Sequence, residues 1–399
     1  MSDEPVVVEA LRTPIGKYGG ILKSVRPDDL GALVLKTLLD RSGIDPASID
    51  DVYFGCTNQG GEDNRNVARM SLLLAGIPYS VPGATVNRLC GSGLEAVNTA
   101  ARVIVAGEGD ILVGGGVESM TRAPLVMLKP EVAFGRGGAA LVDTTIGWRF
   151  ANPAFLPEYP PLAMGETAEN LADKYKISRG AQDEFALTSH MKAVEATKSG
   201  RFKDEMVSVK TREKPEGVSE DEGPRPDTSL EKLASLKPSF RKDGTVTPGN
   251  SSGINDGAAA LLLMGKRKAE SLGAKPIARI LGSATAGVHP NYMGIGPVYA
   301  TRKLLSRLRM TMEEFGVIEL NEAFAAQVLA CVQEMPEFDL KRINPNGGAI
   351  ALGHPLGCSG ARLAATLVHQ MRRTRTRYGL ATMCIGVGQG IATAFELVK

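Results

Sequence analysis

The chain has 399 residues, 43% of them hydrophobic, and a formal net charge of +2. Its length predicts two or three domains with sizeable cores, and the near balance of charge argues against a nucleic-acid or membrane surface. No apolar run reaches the roughly 18 residues of a membrane span. Five cysteines without regular spacing and an acidic N-terminus that enters the first strand directly favour a cytoplasmic protein without a disulfide framework. No metal-binding spacing of Cys and His occurs, so we expect no metal.

Short apolar runs alternate with helical patterns over the first 120 residues. This alternation is typical of an α/β layered domain, and the run 111–115 is apolar on both faces, as in a fully buried strand. The predicted strands are 6–10, 51–55, 84–87 and 111–115, and the predicted helices are 29–41, 66–75 and 94–106.

The alternation stops in the middle of the chain and then returns. Residues 121–252 are richer in Pro, Lys, Glu and Asp, with one interrupted helical stretch at 167–199, which predicts an inserted, partly loop-built segment. The last third repeats the first, with strands predicted at 277–282, 317–321 and 380–384. We therefore expect two similar halves, 1–120 with 253–270 and 271–399, whose corresponding turns lie beside each other.

Three glycine-rich turns carry nucleophilic or basic side chains, namely Cys90, His354 and Cys384. Cys90 follows a strand and opens a helix, where the positive helix end is expected to lower a thiol pKa. His354 lies between Gly353 and Pro355, a rigid setting that aims an imidazole. Each residue also has a structural alternative, a buried cysteine or a hydrogen-bonded loop histidine.

Other polar residues leave more alternatives open. Asn321 follows a predicted strand, where its amide would hold a water or an oxyanion, or would cap the next helix. His190 lies within a helical pattern and is predicted to be a surface or packing residue. The glycines 386, 388 and 390 after Cys384 are only a weak signal for a nucleotide loop, because nine residues follow the last of them.

Five segments in order resemble the motifs of the thiolase family, and the resemblance runs nearly from end to end. They are the acyl-cysteine motif 87–93, the coenzyme A loop 249–257, the asparagine motif 321–325, the histidine motif 344–360 and the second-cysteine motif 384–390. The resemblance implies a thiolase-like fold with an α-β-α-β-α core, in which 121–252 is a loop domain over coenzyme A.

The resemblance also implies catalytic roles. Cys90 would be the acyl-thioester nucleophile, His354 would take its proton, and Cys384 would be the acid and base at the α-carbon of acetyl-CoA. His354 and a water held by Asn321 would form one oxyanion hole. The backbone N–H groups of Cys90 and Gly386 would form the other.

Coenzyme A would be a substrate, with no permanently bound cofactor. By resemblance, Arg225 would lie near its nucleotide phosphates, Ser252 would contact the pantetheine arm, and an apolar set would surround the arm or the acyl group. That set is Met164, Phe240 and Phe324.

One position departs from thiolases specialised for acetoacetyl-CoA, which commonly have a histidine where this chain has Ala163. The stretch 144–150 resembles thiolases that cleave 3-oxoadipyl-CoA, and Arg149 would pair with a distal carboxylate if it faced the acyl pocket. We therefore predict a 3-ketoacyl-CoA thiolase, with acetyl-CoA acetyltransferase and 3-oxoadipyl-CoA thiolase as alternatives, assembled as a homodimer or homotetramer. Ketoacyl synthases are disfavoured by Cys384, and a non-catalytic role by the presence of all three reactive residues.

Overall fold

The computed structural model describes residues 3–134, 138–155 and 158–398. Its α-helices are α1 (Pro27–Ser42), α2 (Val67–Leu74), α3 (Ser92–Ala106), α4 (Met164–Tyr175), α5 (Arg179–Lys198), α6 (Leu230–Ala234), α7 (Lys266–Ser271), α8 (Gly296–Leu308), α9 (Ala325–Glu334), α10 (Ala349–Leu352) and α11 (Leu356–Thr374). Its strands are β1 (Pro5–Arg12), β2 (Gly16–Lys17), β3 (Asp51–Gly55), β4 (Gly83–Val86), β5 (Ile111–Ser119), β6 (Leu125–Val126), β7 (Val142–Asp143), β8 (Asn255–Gly265), β9 (Ala278–Gly287), β10 (Phe315–Leu320), β11 (Tyr378–Ile385) and β12 (Gln389–Leu397).

The two halves repeat one strand arrangement. The N-terminal strands run in the order β1-β8-β5-β3-β4 and the C-terminal strands in the order β9-β12-β11-β10. A short antiparallel pairing of β1 with β9, at Val6 with Arg279 and Val7 with Ala278, joins them into one continuous path of strands. The repeat inferred from the sequence is therefore present in the fold.

The layers follow from strands that are buried on both faces. Along β8, Leu261 and Leu263 face a central core with α3 and α11, while Leu262 and Met264 face an outer core with α1 and α2. A third core packs α8 and α9 on the far side of the C-terminal strands. The result is the five-layered α-β-α-β-α arrangement that the motifs implied.

Glycines let α3 and α11 approach closely in the middle layer. A Cβ on Gly93 would lie 2.6 Å from the Gly357 carbonyl oxygen, and one on Gly360 would lie 2.3 Å from the Leu94 nitrogen. A side chain at either position would clash with the backbone of the other helix. Because both residues are glycine, the two helices can meet at their N-terminal ends. The turns that contain Cys90 and His354 lie at these ends.

The inserted segment contains the interrupted helical stretch predicted at 167–199. It is two helices, α4 and α5, because Lys176 ends α4 in the left-handed conformation with φ 54°. The boundaries proposed for the inserted domain, 121–252, stay a prediction. Within the described part of the chain, no helix is long and apolar enough to cross a membrane.

Candidate active site

Cys90 and Cys384 lie side by side although they come from different halves. Cys90 is half-buried in the turn between β4 and α3, and the N–H of Gly386 points at its sulfur. Cys384 is buried near the end of β11, and its pKa is raised well above the ordinary value by burial and then by the neighbouring Cys90 thiol. The two thiols are therefore close enough to influence each other's ionisation.

The prediction of a lowered Cys90 pKa is wrong. Burial raises the pKa of the Cys90 thiol, although the N–H groups of Gly386 and of Cys90 itself act in the opposite direction. Desolvation of the thiolate outweighs these two backbone donors. Cys90 is therefore a protonated thiol at neutral pH, so its attack on a carbonyl requires a base.

His354 has the protonation state of a base. The Ser359 hydroxyl donates to the Pro355 carbonyl at 2.7 Å, so its oxygen accepts the His354 Nδ1–H at 2.6 Å. Nε2 is then the unprotonated nitrogen, and Asn321 Nδ2 lies 3.4 Å from it. Burial, followed by the charge of Arg362, lowers the pKa of His354 to about 3, which keeps the ring neutral.

Asn321 links the imidazole to the second thiol. It follows the end of β10, and its backbone N–H donates to the carbonyl of Thr382, two residues before Cys384. The capping alternative is excluded because α9 begins at Ala325 with Phe324 as its N-cap. Among the described residues, Asn321 Oδ1 has no hydrogen-bond partner.

Strained backbone flanks both cysteines. Leu89, directly before Cys90, has φ 46°, and Val387, directly after Gly386, has φ 62°. Positive φ is unfavourable for both side chains, and most of all for the β-branched valine. Such strain is found where a structure holds a turn for function, and here it accompanies the Gly386 N–H that points at Cys90.

The apolar residues predicted around the substrate meet beside Cys384. Phe324 belongs to the buried cluster around Cys384, and Met164 packs against it. Phe240 packs edge-on to Phe324 with ring centroids 6.4 Å apart. Ser252 joins this group because its backbone N–H donates to the Ala323 carbonyl at 2.9 Å.

Arg225 lies farther out, on a cleft that ends beside His354. The cleft is lined by cationic, small and apolar residues, among them Lys17, His190, Arg225, Ser251, Asn255 and Gly353. The cleft reaches the His354 turn, because Gly353 lines it and Asn255 Oδ1 accepts the His354 backbone N–H at 2.9 Å. The cleft therefore extends from the exposed Arg225 to the residues that hold His354.

The structure decides between the alternatives for His190 and reveals residues that the sequence did not. His190 is buried, as its packing alternative predicts, and it lines this cleft and accepts the Arg225 backbone N–H at 3.2 Å. Burial lowers its pKa to about 4. Ser359 and Asn255, which hold His354, were not singled out. The available signal was their position within the histidine motif and the coenzyme A loop.

Glu118 is a further residue that the sequence did not reveal. It is buried beside this site, and its Oε2 accepts the N–H groups of Thr57 and Gly357 at 2.9 and 2.8 Å. Gly357 lies in the first turn of α11, three residues after His354. The carboxylate therefore fixes the start of that helix against the N-terminal half.

Comparison with known proteins agrees with this geometry. Residues 5–267 match the family model "Thiolase, N-terminal domain" and residues 274–397 match "Thiolase, C-terminal domain". The beta-ketoadipyl-CoA thiolase of Pseudomonas aeruginosa is 56% identical over all of both chains, and the acetyl-CoA acetyltransferase of Chromobacterium violaceum is 46% identical over 98% of this chain and 99% of that one.

Solved structures give the same result. The Bacillus anthracis acetyl-CoA acetyltransferase superposes with a TM-score of 0.93 at 42% identity, covering 100% of this chain and 99% of that one. Human mitochondrial 3-ketoacyl-CoA thiolase in complex with CoA superposes with a TM-score of 0.93 at 39% identity, covering 99% and 98%. Together with the shared fold, these matches show that the chain belongs to the thiolase family of acyltransferases.

Proposed function

We propose that this thiolase cleaves a 3-oxoacyl-CoA with CoA, and that 3-oxoadipyl-CoA is its preferred substrate. The observation that supports the reaction is that the Cys384 thiol of one half lies beside the Cys90 thiol of the other, while Asn321 links the Cys384 strand to the His354 imidazole. The substrate is supported by relatives named for beta-ketoadipyl-CoA, which are 50–56% identical, against 46% for the acetyl-CoA acetyltransferase. Ala163, which replaces a histidine of acetoacetyl-CoA enzymes, points the same way.

The first step is acylation of Cys90. His354 Nε2 takes the proton of the thiol, and the sulfur adds to the C3 carbonyl of the substrate. The carbonyl oxygen becomes an oxyanion, which the N–H groups of Cys90 and Gly386 would stabilise, because both already point at the Cys90 sulfur.

The second step breaks the C2–C3 bond. The electron pair stays on C2, and the Cys384 thiol protonates it to give acetyl-CoA, leaving the acyl group on Cys90. During this step His354 and a water held by Asn321 Oδ1 would stabilise the enolate oxygen of the acetyl thioester. The thiol of a second CoA then gives its proton to the Cys384 thiolate and attacks the acyl-cysteine. Acyl-CoA leaves and the Cys90 sulfur regains the proton held by His354, so the cycle gives ping-pong kinetics.

The cleft that ends at His354 is the proposed site of CoA. The Arg225 guanidinium at its outer end would attract the nucleotide phosphates, and Ser252 would contact the pantetheine arm. Met164, Phe240 and Phe324 would enclose the end of the arm and the acyl group beside Cys384.

We further propose a homodimer or homotetramer that works in the cytoplasm. Strand β4 is an edge strand of the sheet and is half-exposed along its whole length, so it offers unpaired backbone groups to a second copy. All five cysteines are free, in keeping with a reducing compartment. Light scattering of the purified protein would measure the mass, and a monomer would contradict the assembly.

A thiolysis assay tests the proposed reaction and substrate together. Acetoacetyl-CoA, 3-oxohexanoyl-CoA and 3-oxoadipyl-CoA are compared by kcat/KM, with CoA in excess. We expect the highest value for 3-oxoadipyl-CoA. A preference for acetoacetyl-CoA would favour the acetyl-CoA acetyltransferase alternative, and no cleavage of any of the three would contradict the proposal.

A further inference from the structure

The segment 144–162 is anchored at its start to the turn that carries Cys90. Thr144 Oγ1 accepts the Asn58 side-chain amide at 2.9 Å. Asn58 follows Thr57, whose carbonyl accepts the amide of Asn87 at 3.2 Å, and Asn87 lies three residues before Cys90. The start of the segment is therefore tied to the nucleophile's own turn.

The same segment is anchored at its end to the second reactive turn. The Trp148 indole N–H donates to the Leu162 carbonyl at 3.1 Å. Leu162 lies two residues before Met164, whose sulfur is 3.5 Å from the place where a Cβ on Gly386 would stand. Trp148 is therefore tied to the stretch of chain that leads to the Cys384 turn, and Arg149 is the next residue.

That next residue is Arg149, a cation that lacks a carboxylate partner among the described residues. Its side chain is exposed and makes one hydrogen bond, from Nη1 to the Thr144 carbonyl at 3.3 Å. The carboxylate of Asp143 is engaged by the N–H and hydroxyl of Thr145. Most of the five guanidinium N–H groups thus remain available to a ligand.

Arg88, the arginine nearest to Cys90 in sequence, is already paired. Arg88, two residues before Cys90, forms an ion pair with Glu95 at 3.2 Å and donates to Gln389 Oε1 at 3.2 Å. Arg149 is the single Lys or Arg in the sequence of the 144–162 segment and, unlike Arg88, has no carboxylate partner among the described residues.

We propose that Arg149 recognises the carboxylate at the far end of the acyl chain, an inference that rests on the proposed substrate. Cleavage of the C2–C3 bond of 3-oxoadipyl-CoA leaves a succinyl group on Cys90, with its carboxylate three bonds beyond the thioester carbonyl. A planar guanidinium fork matches a carboxylate in geometry as well as in charge. Arg149 is thus a specificity residue that favours acyl chains with an anionic end over chains with a methyl end.

The test compares 3-oxoadipyl-CoA with 3-oxohexanoyl-CoA, which has six carbons but ends in a methyl group. Arg149→Ala should lower kcat/KM for 3-oxoadipyl-CoA about 10- to 100-fold, which is the effect of losing one charge-assisted hydrogen bond. The kcat/KM for 3-oxohexanoyl-CoA should stay unchanged. Arg149→Lys should recover part of the loss. Arg212→Ala removes another exposed arginine of the inserted segment and should change kcat/KM for neither substrate.

The outcomes separate this inference from the proposed substrate. If the wild-type protein shows no preference for the carboxylated substrate, both are overturned. Two outcomes would overturn only the assignment of Arg149. In one, the wild type has the preference and Arg149→Ala keeps it; in the other, Arg149→Ala lowers kcat/KM for both substrates equally. A thermal midpoint equal to that of the wild type would show that Arg149→Ala leaves the fold intact.

Discussion

The turn before α3 and the turn before α11 occupy the same place in the two halves but carry different chemistry. Cys90 lies two residues before α3, and His354 lies two residues before α11. Because glycines let the two helices meet at their N-terminal ends, one scaffold position holds the proposed nucleophile in one half and the proposed base in the other. Repetition of the fold therefore creates a site that neither half contains alone.

The ends of β5 and β11 differ more strongly. The last residue but one is Glu118 in β5 and Cys384 in β11. Glu118 accepts several backbone N–H groups and anchors α11, whereas Cys384 packs in an apolar cluster with Phe324. The same position anchors structure in the N-terminal half and is available for proton transfer in the C-terminal half.

The largest expected loss of activity follows from substitution of Cys90. Cys90→Ala should abolish the covalent acetyl-enzyme formed with acetyl-CoA and lower thiolysis by at least about 10³-fold, because the nucleophile is lost. Intact-protein mass spectrometry measures the adduct. Cys331→Ala, at a cysteine buried in the third core with α8 and α9, should still form it. An adduct on the Cys90→Ala protein would show that another residue is the nucleophile.

The next largest effect is on α-proton exchange, and it distinguishes the role of Cys384 from that of its counterpart Glu118. Cys384→Ala should slow exchange of the acetyl α-protons of acetyl-CoA with solvent by about 10²-fold or more, while acylation of Cys90 continues. Nuclear magnetic resonance in deuterated water measures the exchange. Glu118→Gln should keep the exchange and instead lower the free energy of unfolding by about 1–3 kcal/mol, since a buried acceptor is weakened. Undiminished exchange in Cys384→Ala would exclude it as the base.

A smaller effect concerns pH. His354 and His190 have pKa values lowered to about 3 and about 4, below the roughly 6.5 of an unfolded histidine. Between these values the unfolded chain binds protons that the folded chain does not, so stability present above pH ~6.5 is lost as the pH falls. Each histidine contributes up to about 1.4 kcal/mol per pH unit. Urea unfolding between pH 7.5 and 5 measures the slope.

His190→Asn provides the matched variant, because an asparagine oxygen can accept the Arg225 N–H that His190 Nδ1 accepts. Its free energy of unfolding should depend less steeply on pH than that of the wild-type protein, by the equivalent of up to one proton taken up on unfolding. An unchanged slope would mean that His190 is not a buried neutral histidine.

The smallest effect concerns the cleft outside both reactive turns. Arg225→Ala should raise KM for CoA only a few-fold with little change in kcat, because an exposed ion pair is worth about 0.2–1 kcal/mol. Steady-state kinetics with varied CoA measures it, and Lys237→Ala serves as the control cation of the same segment. A large fall in kcat would place Arg225 in the chemistry instead.

Much of this molecule was predictable from local pattern. Alternating apolar runs gave the strands and helices of both halves, because side-chain periodicity reports which face of an element is buried. The glycine-rich turns around Cys90, His354 and Cys384 indicated the candidate reactive residues, because such turns and their neighbours are contiguous in sequence. The interruption of the 167–199 helix was not located, since the left-handed Lys176 carries no glycine signal.

What the sequence by itself determined is the repeated α/β pattern, the family and the set of candidate reactive side chains. Only the tertiary structure decided the protonation and orientation of these side chains. Burial overrides the helix terminus and raises the pKa of Cys90, and Ser359 with Asn255 selects the orientation and tautomer of His354. These properties depend on solvent exclusion and on partners from distant segments, and neither is encoded in the residues adjacent to a turn.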